Sequence, residues 1–139
     1  MGVIAFNNFA GGAKVNATKA NYQNFSKWIQ TEIITCNTGM ADKIFTANPQ
    51  SCPITAAQTF SSGMNNACRS TNGVFYNIKN PYNKSERACR LSISYTNDSD
   101  VGFINWSEKS GSEIRLRVCW KTPCNTSENR DEKIINVTE

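Results

Sequence analysis

Histidine is missing from all 139 residues. That absence removes the commonest general base, the commonest zinc ligand and every Ser-His or Cys-His pair. No serine or lysine sits in a nucleophile motif such as G-x-S-x-G, and Glu86, Glu108 and Glu113 lack the spacing of an acid and base pair acting on a glycoside. The chain therefore reads as a non-enzyme with no catalytic residue and no cofactor. It also lacks any apolar run near the roughly 18 residues of a membrane span, and Met1 to Ala13 has no basic front end of a secretory signal. At this length it reads as one soluble domain, 1–139, large enough to bury a true apolar core.

Clustered charge is lacking too. Fifteen Lys and Arg against eleven Asp and Glu leave a net charge of +4, but the basic residues stand singly, as on a solvated surface. DNA or an anionic lipid stays open as a partner only through the general attraction of a weakly basic domain. Asp98 and Asp100 lack the further oxygen ligands of a calcium loop and read as a solvated turn, so no metal site is expected. Trp28, Trp106 and Trp120 read as core or sheet-face residues. Sequons such as Asn16-Ala17-Thr18, Asn83-Lys84-Ser85 and Asn136-Val137-Thr138 read as chance matches in a chain rich in Asn, Ser and Thr.

Cysteine is what the chain does have. Cys36, Cys52, Cys68, Cys89, Cys119 and Cys124 form an even set without a C-x-x-C pair, which points to disulfides in an oxidising compartment rather than to zinc or a redox site. Six cysteines allow fifteen pairings. The preferred expectation is sequential: Cys36 with Cys52, Cys68 with Cys89, Cys119 with Cys124. The last pair would form a staple at a strand end that projects Lys121.

Val15, Thr18, Tyr22, Phe25, Ile29, Ile33 and Cys36 recur at steps of three and four, opposite Lys14, Lys19, Asn24, Lys27 and Gln30. This predicts a long amphipathic helix ending near Cys36, with Gly39 as its left-handed cap. Continuous from Val3, it would run about 52 Å, longer than the roughly 37 Å diameter expected of a body this size. The overhanging part, Met1 to Ala13, holds Val3, Ile4, Phe6 and Phe9 and carries no charge. Gly11 and Gly12 would let it bend or melt relative to the rest, and composition alone equally allows a short hydrophobic lead-in that folds back onto the body.

Beyond the helix, the loop-rich segment 38–89 should hold a short helix from Ile54, ended near Gly63. It should also hold turns at Asn72-Gly73 and Asn80-Asn83 and a strand over Val74–Ile78. The region 90–139 alternates as strands do: Leu91, Ile93 and Tyr95; Val101–Glu108; Ile114, Leu116, Val118 and Trp120; Lys133–Thr138. Asn97–Asp100 and Lys109–Ser112 would make the tight connections. The expectation is an α+β fold, a long N-terminal amphipathic helix packed on a four-stranded antiparallel sheet, with disulfide-stapled loops.

The segment Gly2-Val3-Ile4-Ala5-Phe6-Asn7-Asn8-Phe9, running on through Ala13–Asn21 to Glu32 and Cys36, resembles a bacterial type IV pilin entered part-way along its first helix. The Cys52–Ala57 helix start and the Asn80-Pro81-Tyr82-Asn83 turn are also similar to that family. The resemblance implies the pilin fold, with 1–37 as the C-terminal part of the first helix. It further implies a structural subunit of an extracellular filament, a homopolymer assembled through Val3, Ile4, Phe6, Phe9, Gly11 and Gly12. Its outer face would touch host or abiotic surfaces in adhesion, motility or DNA uptake, and its precursor would be inserted in the inner membrane. The family's peptidase site and long apolar start are not in this sequence, so on this reading the chain is truncated and Met1 an introduced start. A minor pilin or type II secretion pseudopilin is the alternative within the class. A secreted disulfide-rich adhesin or receptor-binding domain is the alternative outside it.

Overall fold

A computed structural model describes residues 2–138, with side chains described throughout that span except at 2–11 and at Phe60. Helix α1 (Gly2–Asn37) carries the predicted stripe: Thr18, Tyr22, Phe25, Ile29, Ile33 and Cys36 are all buried, and Val15 is half-buried. It closes as the glycine predicts. Gly39 sits at φ +73°, its amide donates to the Cys36 carbonyl, and the Met40 amide donates to the Thr35 carbonyl. This pair of bonds satisfies carbonyls that a bare helix end would leave open.

The buried stripe lies on a four-stranded sheet built from β5 (Cys89–Leu91), β6 (Ile104–Ser110), β7 (Glu113–Cys119) and β8 (Arg130–Asn136), in that order. Two-stranded ribbons flank it: β1 (Lys43–Ile44) with β2 (Gln50–Ser51), and β3 (Lys79–Asn80) with β4 (Asn83–Arg87). In register, Ile104 faces Val118, Trp106 faces Leu116 and Glu108 faces Ile114, with Ile135 beside Ile114. Side chains alternate across a sheet, so Ile104, Trp106, Ile114, Leu116, Val118 and Ile135 share the face toward α1, and all six are buried. The Phe25 ring stacks on Trp106 with centroids 5.3 Å apart, and Trp28, Phe45 and Phe75 close around it at 4.8–5.8 Å between neighbouring rings.

The expected all-antiparallel order is corrected. β6, β7 and β8 pair antiparallel, but β5 pairs with β6 in parallel, so the sheet is mixed. Residues 92–103 are therefore a crossover rather than a hairpin, the length a parallel connection requires. The alternation over Leu91, Ile93 and Tyr95 misled because it does not face the core: Leu91 is 45% and Ile93 77% exposed.

Two further expectations fail for identifiable reasons. Helical structure does not end at Gly63. A Thr55/Gln58 capping box starts it, with each backbone amide bonded to the other's side chain. It then passes through a π-helix (Gln58–Met64) straight into α2 (Asn65–Arg69). Gly63 serves close approach instead, since a Cβ there would collide with the Phe45 ring. Val74–Ile78 is a run of turns, not a strand, because the Phe75, Tyr76 and Ile78 amides bond to Ala67, Gly73 and Phe75 carbonyls rather than to a partner strand.

The sequential pairing is the one present: Cys36–Cys52, Cys68–Cys89 and Cys119–Cys124. The bridges tie the end of α1 to β2, the end of α2 to β5, and β7 to the loop after it. Truncating Phe25 to Ala should cost about 3–5 kcal/mol in urea unfolding, from lost transfer energy and a cavity against Trp106. Ile93→Ala, at an exposed site, should stay within about 0.5 kcal/mol of the parent.

Candidate functional site

The residues with the strongest sequence claim to function are those of the N-terminal helix. α-Helical structure continues without a break through Gly11 and Gly12, and the space a Cβ would take at Gly12 is open. The side chains of Val3, Ile4, Phe6 and Phe9, together with Gly11, lie outside the described residues. Of the residues from Gly12 to Ala17, none is buried, and Thr18 is the first buried one among the described side chains. α1 is 36 residues long, about 54 Å at 1.5 Å per residue.

From Lys14 onward the helix is clasped to the body by polar contacts as well as by its apolar stripe. The Lys14 ammonium lies 5.6 Å from the Tyr82 ring centre and that of Lys19 lies 4.6 Å from the Trp120 ring. The Tyr82 hydroxyl in turn donates to the Trp120 carbonyl at 2.6 Å. Deeper in, the Tyr22 hydroxyl donates to the Leu116 carbonyl at 3.1 Å. Lys133 of β8 sits over the Tyr22 ring at 5.1 Å and donates to Ser26 Oγ at 3.3 Å. At the far end, Asn37 Nδ2 donates to the Val137 carbonyl at 3.1 Å. These bonds fix the part of the helix from Lys14 to Asn37 on the sheet.

Two surface features flank this axis. A cleft of about 380 Å³ between α1 and β8 is lined by Gln30, Ile33, Ile34, Ile134, Ile135 and Asn136. Ile34 is 55% and Ile134 42% exposed along it. At the other end of the sheet, the Cys119–Cys124 bridge buries both cysteines and leaves Lys121, Thr122 and Pro123 exposed, as the staple reading expects.

The acidic turn is solvated at Asp98 but not at Asp100. Asp100 is buried, ion-pairs with Arg90 at 2.6 Å, and accepts from Ser94 Oγ at 2.7 Å and from the Asn97 amide at 2.9 Å. Asp98 accepts the Cys124 amide at 2.9 Å. Both carboxylates hold the 92–103 crossover in place, a role that depends on partners distant in sequence. Among the described residues, no three His, Cys, Asp or Glu side chains gather as metal ligands would.

No protein-family model, curated protein or solved structure matches the chain.

Burial, and after it the charge of Asp131, pushes the Tyr22 phenol well above its ordinary value near 10. Folded protein thus keeps a proton that the unfolded chain releases above about pH 10. Stability should fall as pH rises past that point and not change on this account below it. Tyr22→Phe should cost about 1 kcal/mol at neutral pH through the lost hydrogen bond and flatten the alkaline decline. Urea unfolding of both proteins from pH ~8 to ~11 reads this out.

Proposed function

We propose that this chain is a structural subunit of an extracellular filament of the type IV pilin class, acting by association and not by turnover. The observation that carries the reading is the helix itself. α1 has 36 residues; none of those from Gly12 to Ala17 is buried, and the segment before Lys14 is uncharged and rich in Val, Ile and Phe. Apolar surface of that kind favours a partner, and helices of neighbouring copies provide one. The clasps from Lys14 to Asn37 fix that part of the helix on the sheet, the rigid base that a repeating assembly requires. The exposed Ile34 and Ile134 of the α1/β8 cleft support the same reading as a further contact between copies.

On this proposal the three disulfides keep the exposed part folded outside a bacterial cell. The sheet, the loops and the Lys121 staple form the outer surface available to a host or abiotic surface, and the precursor is inserted in the inner membrane before assembly. Introducing Phe9→Asp into the native gene should abolish surface filaments in electron micrographs, because a buried carboxylate has no counter-charge in an uncharged arm. The purified variant should keep the parent's melting temperature. Normal filaments containing the variant chain would overturn the proposal. Intact-mass analysis of sheared filaments separates the alternatives. An abundant chain indicates a major subunit, a trace chain indicates a minor pilin or pseudopilin, and a chain found only free in the medium indicates a secreted adhesin.

A further inference from the structure

Arg69, Arg87 and Arg90 are scattered in sequence but meet in space. The Cys68–Cys89 bridge joins the residue before Arg69 to the residue before Arg90, and Arg87 lies two positions earlier. Together with Glu86, Cys89 and Phe103 they line a cleft of about 250 Å³, a little below the roughly 300–1,000 Å³ of drug-sized ligand sites and suited to a smaller ligand. Each element contributes one cation: the end of α2, the end of β4 and the middle of β5.

The three guanidinium groups are not equivalent. Arg90 is spent structurally: it ion-pairs with Asp100 at 2.6 Å, donates from Nε to Asn105 Oδ1 at 2.7 Å, and packs 3.8 Å over the Phe103 ring. Arg87 is held in a fixed pose by stacking 4.5 Å from the Tyr76 ring centre, yet its buried Nε has no acceptor. Neither Arg87 nor Arg69 forms an ion pair among the described residues. With Asp100 set against Arg90, two cations face one carboxylate, that of Glu86, and the cleft is left net positive.

We propose that this cleft is a binding site for a small oxyanion-bearing ligand, a phosphate or a carboxylate. Arg87 and Arg69 supply the fork-shaped donors that such groups accept from in pairs. Arg90 and the disulfide make the rigid floor. Glu86, which has no hydrogen-bond partner among the described residues, is placed to accept a hydroxyl of the same ligand. The site stands whether or not the chain forms filaments.

The same chemistry could be presented by a free anion or by an acidic sugar, and two probes distinguish them. Two-dimensional NMR of the folded, oxidised protein would be followed during titration with inorganic phosphate and, separately, with glucuronate, using glucose as the neutral control. The expected result is saturable shifts at Arg69, Arg87 and Tyr76 with one or both anions and none with glucose. Tighter binding of phosphate assigns a free oxyanion, and tighter binding of glucuronate assigns an acidic saccharide. Arg87→Gln should weaken the binding at least about tenfold, and so should Arg69→Gln, whose side chain is exposed and not needed for folding. Lys121→Gln, away from the cleft, should leave it unchanged. Shifts that do not saturate, or that persist at parent strength in Arg69→Gln, would overturn the proposal.

Discussion

The stacking of Phe25 on Trp106 is the contact on which the arrangement depends. It is where the helix meets the sheet, and both rings are fully buried. Around it Trp28, Phe45 and Phe75 come from the helix, the position just after β1 and the turn region after α2. One aromatic cluster therefore fastens to the helix two stretches of chain that have little regular structure of their own. Each pair adds about 0.5–1.5 kcal/mol beyond the area it buries, and the loops are ordered because their aromatic residues have a place in this layer.

A second constraint is covalent. β1, β2 and β3 are two residues each, too short to hold 38–89 together by ladder bonds, as a lone hairpin is marginal in water. The Cys36–Cys52 and Cys68–Cys89 bridges attach this region to the helix end and to the first strand of the sheet. Each such bridge contributes about 2–4 kcal/mol, in the chain-entropy view by restricting the unfolded chain. The same bridge that holds α2 against β5 also aligns the arginines of the basic cleft, so a stabilising device and a surface property share one origin.

The 92–103 crossover illustrates how polar groups set topology. β5 could have turned back antiparallel at Asn97–Asp100, where the turn residues are suitable. Instead Asp100 is drawn under the chain to Arg90, the Asn97/Asp100 capping box shapes the single 3₁₀ turn, and Asp98 reaches the Cys124 amide. Gly102, at φ +84°, lets the chain pass Asn80, whose side-chain amide bonds the Val101 carbonyl at 3.0 Å. A side chain at Gly102 would collide with Asn80. The crossover is held by these specific bonds across a sheet face that carries Arg115, Arg117 and Glu132.

The sequence by itself determined the elements whose signal is local. The helical stripe from Thr18 to Cys36 and the Gly39 cap were legible because a helix places residues three and four apart on one face. The β7 strand was legible because Ile114, Leu116 and Val118 alternate with charged neighbours. The absence of histidine and the spacing of the cysteines bounded the chemistry before any coordinates. Only the tertiary structure decided the rest. Alternation at Leu91 and Ile93 is the same in sequence whether those side chains face a core or water, and strand direction leaves no mark on residue identity. Asp100 and Arg90 are ordinary surface residues until a crossover brings them together. The basic cleft was hidden for the same reason: its arginines stand as isolated charges along the chain and become one site only when Cys68 meets Cys89.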